Sequence, residues 1–465
     1  MNNLKKSLSK PNRRPNSVAI IGALFGDEGK GRITDELANY FLNDLKFKEI
    51  VLYRDNGGAN AGHTISYNGK TISLHQIGSG ILHKGCYVVL GKGMVLHPND
   101  LLDEIDEIKR VFNFKQLPSN LIIDENAVLS LDTHRALEAV IGLSSKQSLG
   151  SMASTGRGIS PAYADVIYRF PLTMKDLMID NWKEKFSEHY ERYNRLITGF
   201  GVDMKDITIN RFDGKVQKVG SKDEFLVGLE QTRELLRPYV SDIHDFIKYH
   251  WSNTTPFIFE KAQAVGLDSR WGVYPDVTAS NCCLDGITYS TEGIIDYNDI
   301  SARLGVIKST YMSSVGKRIL PSKMDEKLAE RIRTDGNEYG ATTKRPREIY
   351  NMDLVMLKYF CNVCNIEEIV FTHMDIIYEE PVKLCVNYKI DNNDADYRPN
   401  QEYLNTVVPE YKEFKPWKAD NFQSINDYNQ IEDNAKEYMQ YICTQTNTQP
   451  AMLTYGPQRN QTIIF

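Results

Sequence analysis

Ser17-Val18-Ala19-Ile20-Ile21-Gly22-Ala23-Leu24-Phe25-Gly26-Asp27-Glu28-Gly29-Lys30-Gly31 is the stretch on which the fold turns. A short apolar run ends at Gly22, a glycine-rich turn follows, and a helical pattern runs from about Arg32 to Leu45. Strand, glycine turn and helix in that order outline an anion site. Gly26, Gly29 and Gly31 let the backbone approach a phosphate, the first helical amides point at it, and Lys30 adds a charge. The turn is not a Walker A loop. That loop needs a glycine where this chain has Leu24, and Ser or Thr where it has Gly31. A magnesium ligand must then come from elsewhere, and Asp27 is the nearest. A carboxylate among phosphate-binding amides repels the anion, so Asp27 implies a metal ion or a proton-transfer task.

Working outward, Glu49 to Tyr53, Tyr87 to Leu90 and Leu121 to Ile123 read as further strands, with a helix over Asn99 to Arg110. Later strands are expected at Pro256 to Glu260, Glu368 to Thr372, Val382 to Tyr388 and Met452 to Tyr455. This alternation predicts an α/β fold: a large, mostly parallel central sheet with flanking helices and helical or loop excursions. Residues 17–465 read as one domain with a helical excursion around 172–250. The Asn-, Asp- and Tyr-rich stretch 391–430 reads as long surface loops.

A second loop, Asn56-Gly57-Gly58-Ala59-Asn60-Ala61-Gly62-His63-Thr64, strengthens the phosphate reading, because a histidine there can serve as acid or charge stabiliser. Composition sets the bounds. The chain has 465 residues, 41% hydrophobic and 25% charged, with a formal net charge of -6, which lacks the basic face of a general nucleic-acid binder. No apolar run reaches membrane-spanning length, and the expected location is cytoplasmic. The odd count of seven scattered cysteines argues against a disulfide framework. Cys361, Cys364, Cys282 and Cys283 read as small buried residues, since no second ligand pair completes a zinc site. Residues 1–16, with five basic side chains among Ser, Asn and Pro, read as a disordered basic tail, a transit peptide being the alternative.

The two glycine loops belong to an ordered series. It continues through Leu90-Gly91-Lys92-Gly93-Met94-Val95, Ser154-Thr155-Gly156-Arg157-Gly158-Ile159, Glu260-Lys261-Ala262-Gln263, Thr278-Ala279-Ser280-Asn281, Asn337-Glu338-Tyr339-Gly340-Ala341-Thr342-Thr343 and Gly456-Pro457-Gln458-Arg459. The series spans nearly the whole chain and resembles adenylosuccinate synthetase, a family that joins aspartate to inosine monophosphate at the cost of GTP. The resemblance implies that Asp27 takes the purine N1 proton, that O6 then attacks the γ-phosphate, and that aspartate displaces phosphate from the 6-phosphoryl intermediate. It implies catalytic roles for Asp27, His63 and Lys30, and Mg2+ held partly by Asp27 and the Gly62 carbonyl. Nucleotide and phosphate binding falls to Gly26, Glu28, Gly29, Gly31, Gly62, Thr64, Thr372, Asp375, Thr454 and Gly456. The purine monophosphate falls to Asn60, Ser154, Thr155, Gln263, Thr278, Arg345 and, reaching across a homodimer, Arg169. Aspartate falls to Thr342, Thr343, Arg345 and Arg347, where guanidinium forks suit a dicarboxylate.

Some positions depart from the family pattern. Phe25 replaces a tryptophan, Lys344 a glycine of the aspartate loop, and Tyr350 stands where a Gly-Trp pair is expected. Met312-Ser313-Ser314-Val315-Gly316 lacks an arginine. In the guanine-reading block Thr372-His373-Met374-Asp375, His373 replaces lysine, which leaves ATP open beside GTP. Phage relatives act on dGMP. The resemblance to them implies a small residue at the base aspartate in that group, so Asp27 favours inosine monophosphate over dGMP. A non-catalytic nucleotide binder and an ordinary P-loop NTPase are the other readings, with the retained Asp27, Lys30 and His63 against the first and the loop spacing against the second.

Overall fold

The computed structural model describes residues 3–145, 154–314, 318–340, 346–425 and 427–465. Its centre is a ten-stranded sheet. In chain order the strands are β1 (Arg14–Gly22), β2 (Ile50–Arg54), β3 (Cys86–Leu90), β4 (Asn120–Asp124), β5 (Val240–Ser241), β6 (Phe257–Glu260), β7 (Ile300–Lys308), β8 (Glu368–Thr372), β9 (Gln449–Thr454) and β10 (Thr462–Ile464). They lie in the order β5-β4-β3-β2-β6-β1-β7-β8-β9-β10, parallel throughout except for the β9/β10 hairpin. The expected fold class is borne out, although β5, β7 and β10 lie outside the expected strands.

β1 runs through the middle, between β6 and β7, and Val18 to Gly22 are buried on both faces. Continuous apolar runs rather than alternation suit such strands, because helices cover both sides of the sheet. Val18 and Ile20 pack into one core layer, Ala19 and Ile21 into the other. The chain order along the sheet reverses at β1, so the loops after β1, β2, β6 and β7 open at one edge, where ligands of open α/β sheets bind.

Helix α1 (Asn3–Ser7) corrects one expectation. Residues 3–16 are not a loose tail: Leu4 and Leu8 are buried, and the Leu4 amide donates to the Phe465 carbonyl at 2.7 Å. Lys10 meets Glu367 and Glu368 at 2.5 and 2.6 Å, and Arg13 grips both oxygens of Glu367 at 2.6 and 2.7 Å. The basic charges have acidic partners about 350 positions away, which composition cannot reveal. Stretch 391–430 is also more ordered than expected. Val408–Phe414 pairs antiparallel with Val382–Ile390 in a second, smaller sheet, and Trp417 and Phe422 are buried.

The 172–250 region is mainly helical as read, carried by Trp182–Thr198 and Lys222–Leu236. A buried cluster joins it to the preceding segments. His134 and Tyr193 both donate to Asp165, at 3.0 and 2.9 Å, with His189 beside them. The Leu131 amide donates to His134 Nδ1 at 2.8 Å, so the proton sits on Nε2 and that nitrogen has no lone pair for an ion. The cluster ties helices together.

Candidate active site

The first loop leaves β1 at Gly22 and enters helix α2 (Lys30–Asn39), whose N-cap, Gly29, has φ 91. A left-handed backbone there requires glycine. Glu28 folds back inside the loop: its carboxylate accepts from the Gly26 amide at 2.7 Å and the Leu24 amide at 3.2 Å, and from Lys30 Nζ at 2.9 Å. Glu28 therefore shapes the loop from within, and its fully buried pairing with Lys30 sets where that ammonium stands. Asp27 is left facing away from the loop interior, its side chain only 6% exposed.

The second loop is fastened by the end of β6, one residue at a time. Glu260 accepts from His63 Nδ1 at 2.6 Å and from the Ser79 amide at 2.9 Å. Lys261 is buried in an ion pair with Asp55. The Ala262 amide donates to the Asn56 side chain at 2.9 Å. Gln263, in a left-handed conformation with φ 60, turns toward the site and accepts from Ser280 Oγ at 3.1 Å. Burial pushes Glu260 up, but His63 and Arg54 outweigh it and hold the carboxyl below its usual range. Burial also lowers His63, against the pull of Glu260. Gly31 makes room: a Cβ there would stand 2.7 Å from His63 Cβ.

Two buried polar atoms in this pocket have no protein partner, Asn60 Oδ1 and Gln263 Nε2. An acceptor and a donor left bare beside two glycine loops fit a polar ligand, since such groups cost free energy when unpaired.

Asp27 stands at the edge of a charged cluster from β7 and the segments after it. Ser313 Oγ donates to Asp27 Oδ2, and Lys308 Nζ donates to Ser313. Lys308 Nζ and Arg347 Nε both lie 3.3 Å from that same oxygen. Behind them Glu338, wholly buried, accepts from Lys308 and Arg347, each at 2.7 Å, and from the Tyr311 hydroxyl at 2.6 Å. Burial raises Glu338, but the neighbouring cations overcome it and hold the carboxyl far below its usual range.

The remaining blocks converge nearby. Thr372 Oγ1 donates to the Glu28 carbonyl at 2.8 Å, joining β8 to the first loop. The Met374 amide donates to the Thr454 carbonyl at 3.0 Å, and Arg32 donates to the Gly456 carbonyl at 2.9 Å. Burial raises the Asp375 carboxyl, with Arg32 opposing. Ser154 and Thr155 are exposed, Ser154 Oγ donating to Glu138. Thr278 is partly buried and Thr64 and Gly62 are exposed.

A family model described as adenylosuccinate synthetase matches residues 19–463. The chain belongs to the adenylosuccinate synthetase family. It is 32% identical to the adenylosuccinate synthetase of Pelodictyon phaeoclathratiforme over 98% of this chain and 99% of that one. It is 34% identical to that of Clostridium kluyveri over 96% and 98%. The structure of the fully ligated enzyme from Plasmodium falciparum superposes with a TM-score of 0.84 at 29% identity, covering 97% of this chain and all of the other. A cyanophage S-2L succinoaminodeoxyadenylate synthetase, bound to dGMP and dATP, shares the fold with a TM-score of 0.58 at 16% identity. The chain is accordingly a ligase that forms C–N bonds.

Adenylosuccinate synthetase motifs pointed to Asp27, Lys30, His63 and Gln263 but left their supports unread. Lys308 and Tyr311 carry no motif signal of their own, and Glu338, Glu260 and Ser313 stand out only as parts of longer blocks. Thr342, Thr343, Lys344 and Arg345 lie outside the described residues, as do Val315, Gly316 and Lys317. Arg347 is placed, between Asp27 and Glu338. Phe25, in the tryptophan position, packs edge-on against Phe360 at 6.0 Å with Arg318 4.7 Å above its ring. Arg169 caps α3 (Ile159–Tyr168) in a left-handed turn, φ 68, and is exposed beside exposed Ile167 and Tyr168. No helix among the described residues is long and apolar enough to cross a membrane.

Proposed function

We propose that this chain ligates L-aspartate to inosine monophosphate, with GTP as the phosphoryl donor, giving adenylosuccinate, GDP and phosphate. The observation that carries the reading is Asp27. Its carboxylate is flanked by Lys308 and Arg347 at 3.3 Å, where anionic substrates and a leaving proton need a base among cations.

Asn60 and Gln263 hold the purine monophosphate with the two bare polar atoms, assisted by Ser154, Thr155, Thr278 and Arg345. Asp27 accepts the N1 proton, which makes O6 the nucleophile. Lys30 and His63, the latter oriented by Glu260, stabilise charge on the transferring phosphoryl group. Gly26, Gly29, Gly31 and Thr64 line the triphosphate, while Thr372, Asp375, Thr454 and Gly456 form the base site. Aspartate, held by Thr342, Thr343, Arg345 and Arg347, then displaces phosphate at C6. Arg169 reaches the monophosphate of a second copy in a homodimer, its exposure at the tip of α3 supporting that reach.

A hard cation fits the same place. Asp27 supplies a carboxylate whose three protein contacts all fall on Oδ2, and the exposed Gly62 backbone supplies a carbonyl, the oxygen ligands magnesium prefers. When bound there, Mg2+ would neutralise the phosphates being cleaved. A cytoplasmic setting is consistent with these soluble substrates.

The test is a panel crossing IMP and dGMP with GTP and ATP, each with magnesium and aspartate, followed by the ultraviolet absorbance of the product. Turnover should be greatest with IMP and GTP. Turnover on dGMP without any on IMP would overturn the reading.

A further inference from the structure

Tyr311 joins two parts of the molecule that sequence keeps apart. Its hydroxyl donates to Glu338 Oε1 at 2.6 Å and lies 3.2 Å from His373 Nδ1. A phenol has one proton. Glu338 is ionised and can only accept, so that proton goes to Glu338, and the Tyr311 oxygen accepts from His373 Nδ1–H. Burial, then Lys308, pushes His373 down to about 4, which leaves the ring neutral with its Nδ1 proton in this bond.

His373 is held on its other side as well. It sits in a left-handed turn, φ 54, directly after β8, and its carbonyl accepts from Ser309 Oγ at 3.0 Å. The next residue is pinned twice, the Met374 amide to Thr454 and its carbonyl to Trp417 Nε1 at 2.9 Å. A strained, tightly pinned turn ending in one side-chain bond persists only where its surroundings over-determine it. From Tyr311 the path runs through Glu338 to Lys308 and Arg347, both 3.3 Å from Asp27. Tyr311 is wholly buried and each of these side chains contacts the next, so a shift at the His373 turn is passed along the path.

We propose that Tyr311 and His373 are positioning residues that couple occupancy of the nucleoside triphosphate's base site to the placement of Asp27, through Glu338. This rests on the reading of Thr372 to Asp375 as the base site and Asp27 as the base. A purine settling against the His373 turn fixes the imidazole. The imidazole fixes the Tyr311 hydroxyl, and Glu338 in turn sets the two cations that frame Asp27. The phosphoryl step is thereby completed only when a base is seated.

The test is a double-mutant cycle of Tyr311→Phe and His373→Ala in the full chain, with steady-state kinetics in all three substrates and thermal midpoints. Each single variant should lower kcat about tenfold or more. KM for the purine monophosphate and for aspartate should stay within about twofold. The double variant should be no worse than the poorer single. His373→Asn, which tolerates the left-handed turn and offers an amide donor, should recover most of the rate. Additive losses, an unchanged kcat in Tyr311→Phe, or His373→Asn no better than His373→Ala would overturn the coupling. A wild-type protein inactive on every purine tested would instead sink the underlying reading of the site, and the coupling with it.

Discussion

Glu260 holds His63 by its Nδ1 at 2.6 Å, across nearly two hundred residues of sequence and with both side chains buried. The bond fixes the ring plane and leaves Nε2 as the nitrogen available to a phosphoryl group, as a carboxylate does for a catalytic imidazole elsewhere. Glu260→Gln keeps the size and removes the charge. It should lower kcat on the order of 10²-fold, the scale of a misdirected acid–base group, with smaller changes in KM. Steady-state rates of the variant decide this, and near-normal turnover would show that His63 needs no such support.

Gly31→Ala tests space rather than charge. Alanine favours a helix, yet here its Cβ would stand 2.7 Å from His63 Cβ and 3.1 Å from Ser79 Oγ. Displacing His63 by a fraction of an ångström should cost up to about 10²-fold in kcat. The thermal midpoint should move little, and a fully active Gly31→Ala enzyme would contradict the close approach.

Asp27→Asn should abolish turnover by about 10³-fold or more, since one residue acts as base and metal ligand. Binding of the nucleotide, followed by calorimetry, should survive. Arg345→Leu should instead raise the aspartate requirement far more than the GTP requirement, and an equal rise in both would remove Arg345 from the aspartate site.

Gln263→Ala removes a buried amide whose Nε2 has no protein partner. If that atom serves the purine monophosphate, its KM should rise about tenfold, the worth of one to two hydrogen bonds in a closed site. KM for GTP should remain within about twofold. A protein merely destabilised by the change would show a lowered thermal midpoint with normal KM values.

Acid sensitivity should report the N-terminal clasp. Burial raises Glu367, but Arg13 and Lys10 outweigh it and hold its carboxyl at about 2, below the usual 4.5. A depressed folded-state value gives stability that is fully present above about pH 4.5 and lost as pH falls toward 2. Arg13→Ala should reduce stability at neutral pH by about 1 kcal/mol, the scale of a partly exposed ion pair. It should also flatten the acid limb of a urea-midpoint profile. An unchanged acid limb would mean that other carboxylates set it.

Much of this protein is legible in one dimension. The apolar runs of β1, β2, β3 and β8 announce a parallel sheet, because strands covered on both faces need no alternation. The two glycine loops announce themselves too, since close approach to phosphate and left-handed turns at Gly26 and Gly29 demand glycine locally. Asp27 and His63 stand out because a carboxylate and an imidazole inside such loops are chemically conspicuous.

What tertiary structure decided is who supports them. Glu260, Lys308 and Glu338 are ordinary charged residues in sequence, and each becomes functional only through a partner that folding delivers. Lys10 and Arg13 looked like a loose tail for the same reason, their partner Glu367 lying at the far side of the chain. Backbone geometry is dictated by neighbours along the chain and can be read from them. The pairing of buried charges depends on desolvation and distance, and these exist only once distant segments have been brought together.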